Sequence, residues 1–206
     1  VDVVNVIAIQ RGTTTPGRVV MMSGDIDSRN SNGSDGVKDA PGANDNASGL
    51  AGTVEAARVL TRHRFGKTII YAGLSGEEQG LWGGQQLAKE FVDSAWTVEA
   101  VLNNDMIGNV DGGDGIRDTA TVRVFSEGTS PTESDSARKA RRATGGEVDG
   151  VSRQVARYIK AIGDRYLPSQ FVNRGDRLVF SNGVLVLGLL SAVLIYLFDA
   201  SLNAVI

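Results

Sequence analysis

The sequence of 206 residues contains no cysteine and a single histidine, His63. The lack of cysteine excludes disulfide bonds, zinc–thiolate sites and thiol nucleophiles, so any metal site must use oxygen or imidazole ligands. His63 lies between two arginines at the end of a predicted helix, where it complements the helix dipole, and we expect it to be structural and exposed. The two tryptophans, Trp82 and Trp96, are interpreted as core or sheet-packing residues.

Excess positive charge is also absent. The formal net charge of -3 and the sequence pI near 5.2 give no basic surface for nucleic acid, so we expect no nucleic-acid partner. The hydrophobic fraction of 41% is ordinary for a globular domain, and the length suits one such domain. The sequence has no initiating methionine and no apolar leader, so we interpret it as a fragment or a processed form.

One long apolar run, Leu178–Phe198, contains no charged residue and is long enough to cross a bilayer. We therefore divide the chain into a main domain over residues 1–177 and an apolar tail over residues 178–206. Three interpretations of the tail stay open: a transmembrane segment over residues 178–198, a buried strand and helix, or a non-native sequence.

Strand patterns recur through the first half of the chain and end in turns. Apolar, β-branched runs over Val3–Ile9 and Arg18–Ser23 predict two strands that are joined by a Pro-Gly turn within Thr13–Gly17. Further strands are predicted over Lys67–Leu74, Thr97–Leu102 and Thr119–Ser126.

Helical periodicity separates these strands. The first helix is predicted to begin at an N-cap on Ser48 and to run to about Arg62, with an apolar stripe that includes Val54 and Leu60. Further helices are predicted over Leu81–Val92 and Val151–Tyr166, and a polar stretch over Gly128–Gly150 contains helix-forming charges between Ser134 and Arg142. The alternation predicts an α/β fold: a three-layer sandwich with a mostly parallel central sheet flanked by helices.

Four short acidic motifs follow these strands. They are Gly-Asp-Ile-Asp-Ser-Arg at 24–29, Gly-Ala-Asn-Asp-Asn-Ala-Ser-Gly at 42–49, Ser-Gly-Glu-Glu-Gln-Gly at 75–80 and Asn-Asn-Asp-Met-Ile-Gly at 103–108. Each motif places a carboxylate where an apolar run meets a turn, and such segments converge at one edge of an α/β sheet. Carboxylates can bridge two divalent cations that activate water, and a further carboxylate can accept the proton of that water. The motifs therefore predict a metal site at this edge.

The four motifs, in this order, resemble the co-catalytic di-zinc aminopeptidase family, which includes the bacterial leucyl aminopeptidase-like metallopeptidases. The resemblance covers about residues 1–177, and the spacings of Asp25 from Asp45 and of Glu78 from Asp105 are similar to those of the family. It implies a zinc-exopeptidase-like fold, two Zn²⁺ ions and hydrolysis of N-terminal bonds in peptide or protein substrates. It also implies a secreted or periplasmic location, with a membrane tether as the alternative.

The resemblance assigns roles to the acidic residues. Asp45 is expected to bind both metal ions, whereas Glu78 and Asp105 are each expected to bind one. Glu77 is expected to be the general base, which takes a proton from water and later returns it to the leaving amine.

Two departures from the family concern its histidine ligands. Asp25 stands where the family has one of them, and Asp27 stands where the family has an aspartate that orients that histidine. Because aspartate is a harder, anionic ligand, the expected preference shifts from Zn²⁺ towards Mn²⁺, Mg²⁺ or Ca²⁺. The last histidine of the family follows a basic stretch like Asn173–Arg177, and no histidine follows Arg177 here. The C-terminal part that bears this histidine is thus missing or replaced.

Three interpretations of function follow. The first is a metal-dependent exopeptidase that uses Glu77. The second is an impaired or inactive relative that serves as a binding module, because the expected histidines are absent. The third is a truncated or frame-altered product whose apolar tail leaves the domain poorly folded. Metal content and hydrolysis of an aminoacyl reporter distinguish the first from the second.

Overall fold

The computed structural model describes residues 3–118, 124–126, 129 and 133–166. These residues fall into two compact units, the first within Val1–Thr119 and the second within Ala120–Ser181. The strand predicted over Thr119–Ser126 lies mostly outside the described residues, and residues 124–126 are not in a strand. The apolar tail over 178–206 also lies outside them.

The first unit is built on a four-stranded sheet with the strand order β1-β3-β2-β4. Its strands are β1 (Val6–Gln10), β2 (Thr15–Asp25), β3 (Lys67–Leu74) and β4 (Thr97–Asn103). Strand β2 is parallel to both β3 and β4, while β1 is antiparallel to β3. The predicted, mostly parallel central sheet is confirmed.

The predicted turn between the first two strands is wrong. Pro16 and Gly17 lie inside β2, which begins at Thr15, and β1 pairs with β3 instead of β2. The Thr15 N–H donates to the Gly66 carbonyl at 2.8 Å, which places the first residue of β2 beside the residue that precedes β3. A proline so close to the beginning of a strand does not interrupt the ladder.

Helix α2 (Trp82–Asp93) covers one face of this sheet. The core on this face consists of Val19, Met21, Ile70, Ala72, Leu74 and Leu87, with Phe91, Trp96 and Val98 packed against it. The prediction that Trp96 packs in this way is confirmed. Trp82 is 54% exposed, so its predicted core position is wrong. It is the first residue of α2, and the buried positions of that helix are Gly83 and Leu87.

Helix α1 (Ala47–Leu60) packs on the other face. Side chains alternate along a strand, so Val20 and Met22 point away from the α2 side. A Cβ atom on Gly24 would lie 2.6 Å from the backbone nitrogen of Leu50, which shows how closely α1 approaches β2. The two helices and the sheet form three layers, as predicted.

The beginning and the buried stripe of α1 differ from the prediction. The N-cap is Asn46 instead of Ser48, because the Asn46 Oδ1 accepts the Gly49 N–H at 3.1 Å. The Ser48 hydroxyl, already within the helix, donates to the Asn44 carbonyl at 2.6 Å. Val54 is 60% exposed, because smaller residues form most of the face in contact with the sheet. The buried positions are Gly49, Gly52, Thr53, Ala56 and Leu60.

The second unit contains helix α3 (Asp135–Ala143), a 3-10 turn (Gly146–Asp149) and helix α4 (Val151–Tyr166). The periodicity of the sequence predicts α4, whereas only helix-forming charges indicate α3, and both helices contact the 3-10 turn. The buried positions of α4 are Ala156, Ile159, Ile162 and Gly163. Among the residues that the structure describes, no helix combines the length and the apolar character needed to cross a membrane.

Candidate metal centre

The four acidic motifs lie where three parallel strands end and where α1 begins. Asp25 is the last residue of β2, Asp45 precedes the N-cap of α1, Glu77 and Glu78 follow β3, and Asp105 follows β4. The carboxyl ends of parallel strands meet at one edge of a sheet. We call this region the acidic edge and define it as Asp25, Asp27, Asp45, Glu77, Glu78 and Asp105.

Asp25 is the most deeply placed of these carboxylates, with 6% of its surface exposed. Burial raises the pKa of Asp25, because the charged form loses its hydration. A hydrogen bond from Asn46 partly offsets this shift, and the carboxylates of Asp105, Asp27 and Asp45 raise the pKa further. Asp25 thus lies within electrostatic range of carboxylates from two other motifs.

The same repulsion reaches two more residues. Burial raises the pKa of Glu77, and the carboxylates of Asp25, Glu78 and Asp105 add to the shift. Burial, followed by the carboxylate of Asp45, likewise raises the pKa of Asp105. The side chains whose charges contribute to these pKa shifts thus come from all four motifs.

Asp27 holds the loop that carries the predicted general base. Its Oδ1 accepts the Glu77 N–H and its Oδ2 accepts the Glu78 N–H, both at 3.1 Å. The resemblance implies that this aspartate orients the ligand at position 25. In the structure both of its oxygens are bonded to the loop of the two glutamates instead, so Asp27 fixes the backbone from which both project.

Sequence reasoning missed two residues that contact the predicted ligands. The Asn46 Nδ2 donates to the Asp25 Oδ2 at 2.9 Å. The Arg29 Nε lies 2.6 Å from the Glu78 Oε2, with the arginine side chain 55% exposed. Asn46 is next to Asp45, and Arg29 ends the motif that begins at Gly24, so membership in an acidic motif was the available signal for both.

The carboxylates share an edge without forming a closed site. Within the described residues, no three Asp, Glu or His side chains are grouped so that they could hold an ion as they stand. Their present partners explain this arrangement: Glu78 is turned to Arg29, and Asp27 is bonded to the backbone of the glutamate loop.

The chemistry of this donor set nevertheless fits a divalent cation. Every predicted ligand offers carboxylate oxygens, which bind hard cations and are also used by Zn²⁺. A bound cation would offset the loss of hydration and, secondarily, the repulsion between carboxylates that raise the pKa of Asp25, Glu77 and Asp105. No imidazole joins them from the described residues, since His63 lies exposed after the end of α1, as predicted.

The fold and the acidic edge define a three-layer α/β protein with a candidate metal centre at the ends of its parallel strands. The sequence model of peptidase family M28 matches residues 5–180, and the chain belongs to this family. The resemblance to zinc aminopeptidases that the motifs indicated is thereby confirmed. The role of each site residue stays a prediction.

Two fungal proteins are similar to this chain in sequence. A protein of Pyricularia oryzae is 42% identical over 164 residues, which cover 79% of this chain and 33% of that protein. A protein of Leptosphaeria maculans is 44% identical over 158 residues, or 77% of this chain and 37% of that protein. Both are named as a "Probable zinc metalloprotease". The chain thus spans about a third of the length of these relatives, so their activity is a proposal for it.

Two solved structures share the fold. The LapA aminopeptidase of Legionella pneumophila superimposes with a TM-score of 0.53 at 21% identity, covering 80% of this chain and 36% of that one. BSAP, a zinc aminopeptidase from Bacillus subtilis, gives a TM-score of 0.51 at 24% identity, covering 93% and 49%. At these identities the likeness shows the fold alone, and it confirms the predicted α/β class.

Proposed function

We propose that this chain forms part of a metal-dependent exopeptidase of the aminopeptidase type, which removes N-terminal residues from peptides or proteins. One observation carries the proposal: Glu77 follows β3 at the acidic edge, and its backbone N–H donates to the Asp27 Oδ1, from a second motif, at 3.1 Å. Burial, together with the carboxylates of nearby motifs, raises the pKa of Glu77. Such a group in the acidic edge of a peptidase family member is suited to accept and return a proton. The names of the fungal relatives support a zinc-dependent reaction.

Asp25, Asp45, Glu78 and Asp105 are the residues that would hold the cations. Zn²⁺ is the first expectation, with two ions implied by the resemblance, and Mn²⁺, Mg²⁺ or Ca²⁺ are the alternatives that Asp25 introduces. When bound, such cations supply positive charge that acidifies water and polarises a scissile carbonyl. Asp45 and Asp105 are exposed, so a substrate can approach this side of the edge.

Glu77 would carry the proton in this reaction. Its carboxylate accepts a proton from the attacking water as the new C–O bond forms. It then gives this proton to the leaving nitrogen as the C–N bond breaks, so that the products are an amino acid and a shortened peptide with a free amine. Asp27 would keep Glu77 in place through the backbone hydrogen bond at 3.1 Å.

The test replaces Glu77 by Gln in the full chain and measures hydrolysis of an aminoacyl reporter after loading with Zn²⁺ or Mn²⁺. We expect turnover to fall by a factor of about 100 or more, because a positioned base contributes at least that much. Gln79→Ala, at an exposed position of the same loop, is the matched control and should retain turnover. Unchanged turnover in a cation-loaded Glu77→Gln sample would contradict the proposal.

The exopeptidase specificity needs its own substrate pair. A peptide with a free N-terminus should be shortened, whereas the same peptide with an acetylated N-terminus should remain intact. Cleavage of both peptides at internal bonds would instead indicate an endopeptidase.

Location stays a prediction from the resemblance. We propose a secreted or periplasmic protein, with a membrane tether through residues 178–198 as the alternative. Fractionation of cells that produce the protein would distinguish these locations.

A further inference from the structure

We propose that Asn46 is the positioning residue of the metal centre, and that its buried amide fixes three of the predicted aspartate ligands relative to one another. The inference rests on the proposed metal-dependent function and deepens it. It gives Asn46 the orienting task that the resemblance implies for Asp27.

The side chain of Asn46 is 2% exposed and uses its full hydrogen-bonding capacity. Its Nδ2 donates to the Asp25 Oδ2 and to the Asn104 carbonyl, both at 2.9 Å. Its Oδ1 accepts the Gly49 N–H at 3.1 Å and the Met106 N–H at 3.2 Å. An amide offers two N–H donors and a carbonyl oxygen that accepts two bonds, so no capacity is left over.

This pattern fixes the orientation of the amide. Two backbone N–H groups, of Gly49 and Met106, point at one end of it, so that end must be the oxygen. The NH₂ group must then face Asp25. A rotation of the amide would place two donors against two donors and leave the carboxylate without its partner.

The contacts of Asn46 reach three predicted ligands by three different routes. Asp45 is its neighbour in the chain, and Asp25 is its hydrogen-bond partner. Asp105 lies between Asn104 and Met106, and Asn46 bonds to the backbone on both sides of it. One side chain thus ties the end of β2, the beginning of α1 and the end of β4 to a common point.

The surroundings of Asn46 keep that point rigid. Asn104 is 5% exposed, and its Nδ2 donates to the Thr53 Oγ1 at 3.1 Å. The Thr53 hydroxyl in turn donates to the Gly49 carbonyl at 3.2 Å. The backbone beside Asp105 is therefore bonded to α1 by a second, independent chain of contacts.

The contact between Asn46 and Asp25 also preserves the charge of the carboxylate. Asn46 is a neutral donor, which orients the carboxylate through Oδ2 and leaves its negative charge for a cation. No further hydrogen-bond donor to Asp25 is found in the described part of the chain. Glu78 differs, because its partner Arg29 carries a full positive charge that opposes cation binding.

The test measures binding of Zn²⁺ alone to the full chain by calorimetric titration. Asn46→Ser should weaken binding about tenfold or more, the usual loss when a residue that orients a ligand is removed. Asn44→Ser is the matched control, because Asn44 is likewise a chain neighbour of Asp45, while its Oδ1 accepts the Gly108 N–H at 3.0 Å and its side chain makes no hydrogen bond to Asp25 or to the backbone beside Asp105. It should stay within about twofold of the wild type.

A double-mutant cycle separates positioning from general structural support. If Asn46 acts through the aspartates, the loss caused by Asn46→Ser should shrink to about threefold or less in the Asp25→Ala and Asp105→Ala backgrounds. The same tenfold loss in both backgrounds would overturn the inference. So would a folded Asn46→Ser chain that binds Zn²⁺ as tightly as the wild type.

A measurement on the unmutated chain keeps the test valid if Asn46→Ser fails to fold. In the unmutated chain, the side-chain amide resonances of Asn46 should shift during a Zn²⁺ titration with the same midpoint as the calorimetric curve. Amide resonances that stay unmoved while Zn²⁺ binds would contradict the inference.

The failure of this inference can be distinguished from failure of the proposed function. If the wild-type chain takes up no Zn²⁺, the metal centre and this inference are both wrong. If the chain takes up Zn²⁺ without coupling between Asn46 and the aspartates, only the inference is wrong. If coupling is present and Glu77→Gln leaves turnover unchanged, only the proposed reaction is wrong.

Discussion

The two ends of the parallel strands differ in the charges that surround their acidic side chains. At the beginning of the strands, Glu99 of β4 lies between Lys67 of β3, at 2.6 Å, and Arg18 of β2. At the other end, Asp25 and Glu77 face other carboxylates, and the pKa of both is raised. A carboxylate between two cations is attracted to them, whereas carboxylates close to one another repel. Binding of a cation would therefore change the stability of the folded chain more at the acidic edge than at the other end.

The two ends also differ in how closely the backbone segments approach. A Cβ atom at Gly49 would overlap with the Asn104 carbonyl oxygen and the Asn46 Oδ1. A Cβ atom at Gly17, near the other end of β2, meets nothing within 4 Å. Tight backbone contact beside the predicted ligands indicates that their relative positions are determined by packing as well as by hydrogen bonds.

The largest expected effect comes from a substitution that disrupts the close approach of backbone segments at Gly49. Gly49→Ala should lower the free energy of unfolding by about 3 kcal/mol, because the added methyl group forces α1 away from the residue before Asp105. Gly17→Ala is the matched control and should change it by at most about 0.5 kcal/mol. Urea unfolding of both variants checks the prediction. Equal effects of the two substitutions would show that the close approach at Gly49 contributes nothing.

The second prediction replaces one carboxylate by its amide at each end of the parallel strands. In the metal-free chain at pH 7, Asp25→Asn should raise the melting temperature by a few degrees, because it removes a buried charge with like-charged neighbours. Glu99→Gln should lower it by a few degrees, because Lys67 and Arg18 lose their partner. Thermal unfolding in the presence of a chelator measures both. Shifts of the same sign would contradict the comparison.

The pH dependence of the Asp25→Asn effect has a definite sign. The folded state raises the pKa of Asp25, so the charged carboxylate reduces stability above its folded pKa. Below the unfolded pKa of about 3.9 the group is protonated in both states and this cost disappears. The gain from Asp25→Asn should therefore be present at pH 7 and vanish near pH 3. A gain that is equal at both values would exclude charge as its cause.

The smallest expected effect concerns Arg29, whose guanidinium group already contacts Glu78 of the acidic edge. Arg29→Gln should tighten Zn²⁺ binding by up to about fivefold, because it frees Glu78, and an exposed ion pair is worth at most about 1 kcal/mol. Arg18→Gln is the matched control at the other end, since its side chain is 56% exposed and also pairs with a glutamate. Weaker Zn²⁺ binding in Arg29→Gln would show that Arg29 supports the site instead of competing with it.

Much of the fold could be predicted from the sequence. Strand β3 and helix α4 have the predicted bounds, because each corresponds to a continuous pattern in the sequence. The pairing of β1 with β3 could not be predicted, since neighbouring strands in the chain are the simpler expectation and nothing local to β1 specifies its partner. Long-range pairing is determined by the packing of the whole sheet.

Part of the candidate site could likewise be predicted from the sequence, and part could not. The placement of the acidic motifs at the ends of strands could be predicted, whereas the structure groups no three of the described acidic side chains so that they could hold an ion as they stand. The contacts of Asp27 and Asn46 could not be predicted, because an aspartate or asparagine in a loop has many potential partners. The partner that each side chain bonds depends on which groups lie within hydrogen-bond distance of it in the folded chain.

The most direct test of the account is the zinc content of the full chain by native mass spectrometry, after equilibration with Zn²⁺ and desalting. The account predicts that the folded wild-type chain retains Zn²⁺, two ions if the resemblance holds, and that Asp45→Asn retains fewer. A folded wild-type chain that retains no zinc, or the same content in Asp45→Asn, would contradict the claim that the acidic edge is a metal centre.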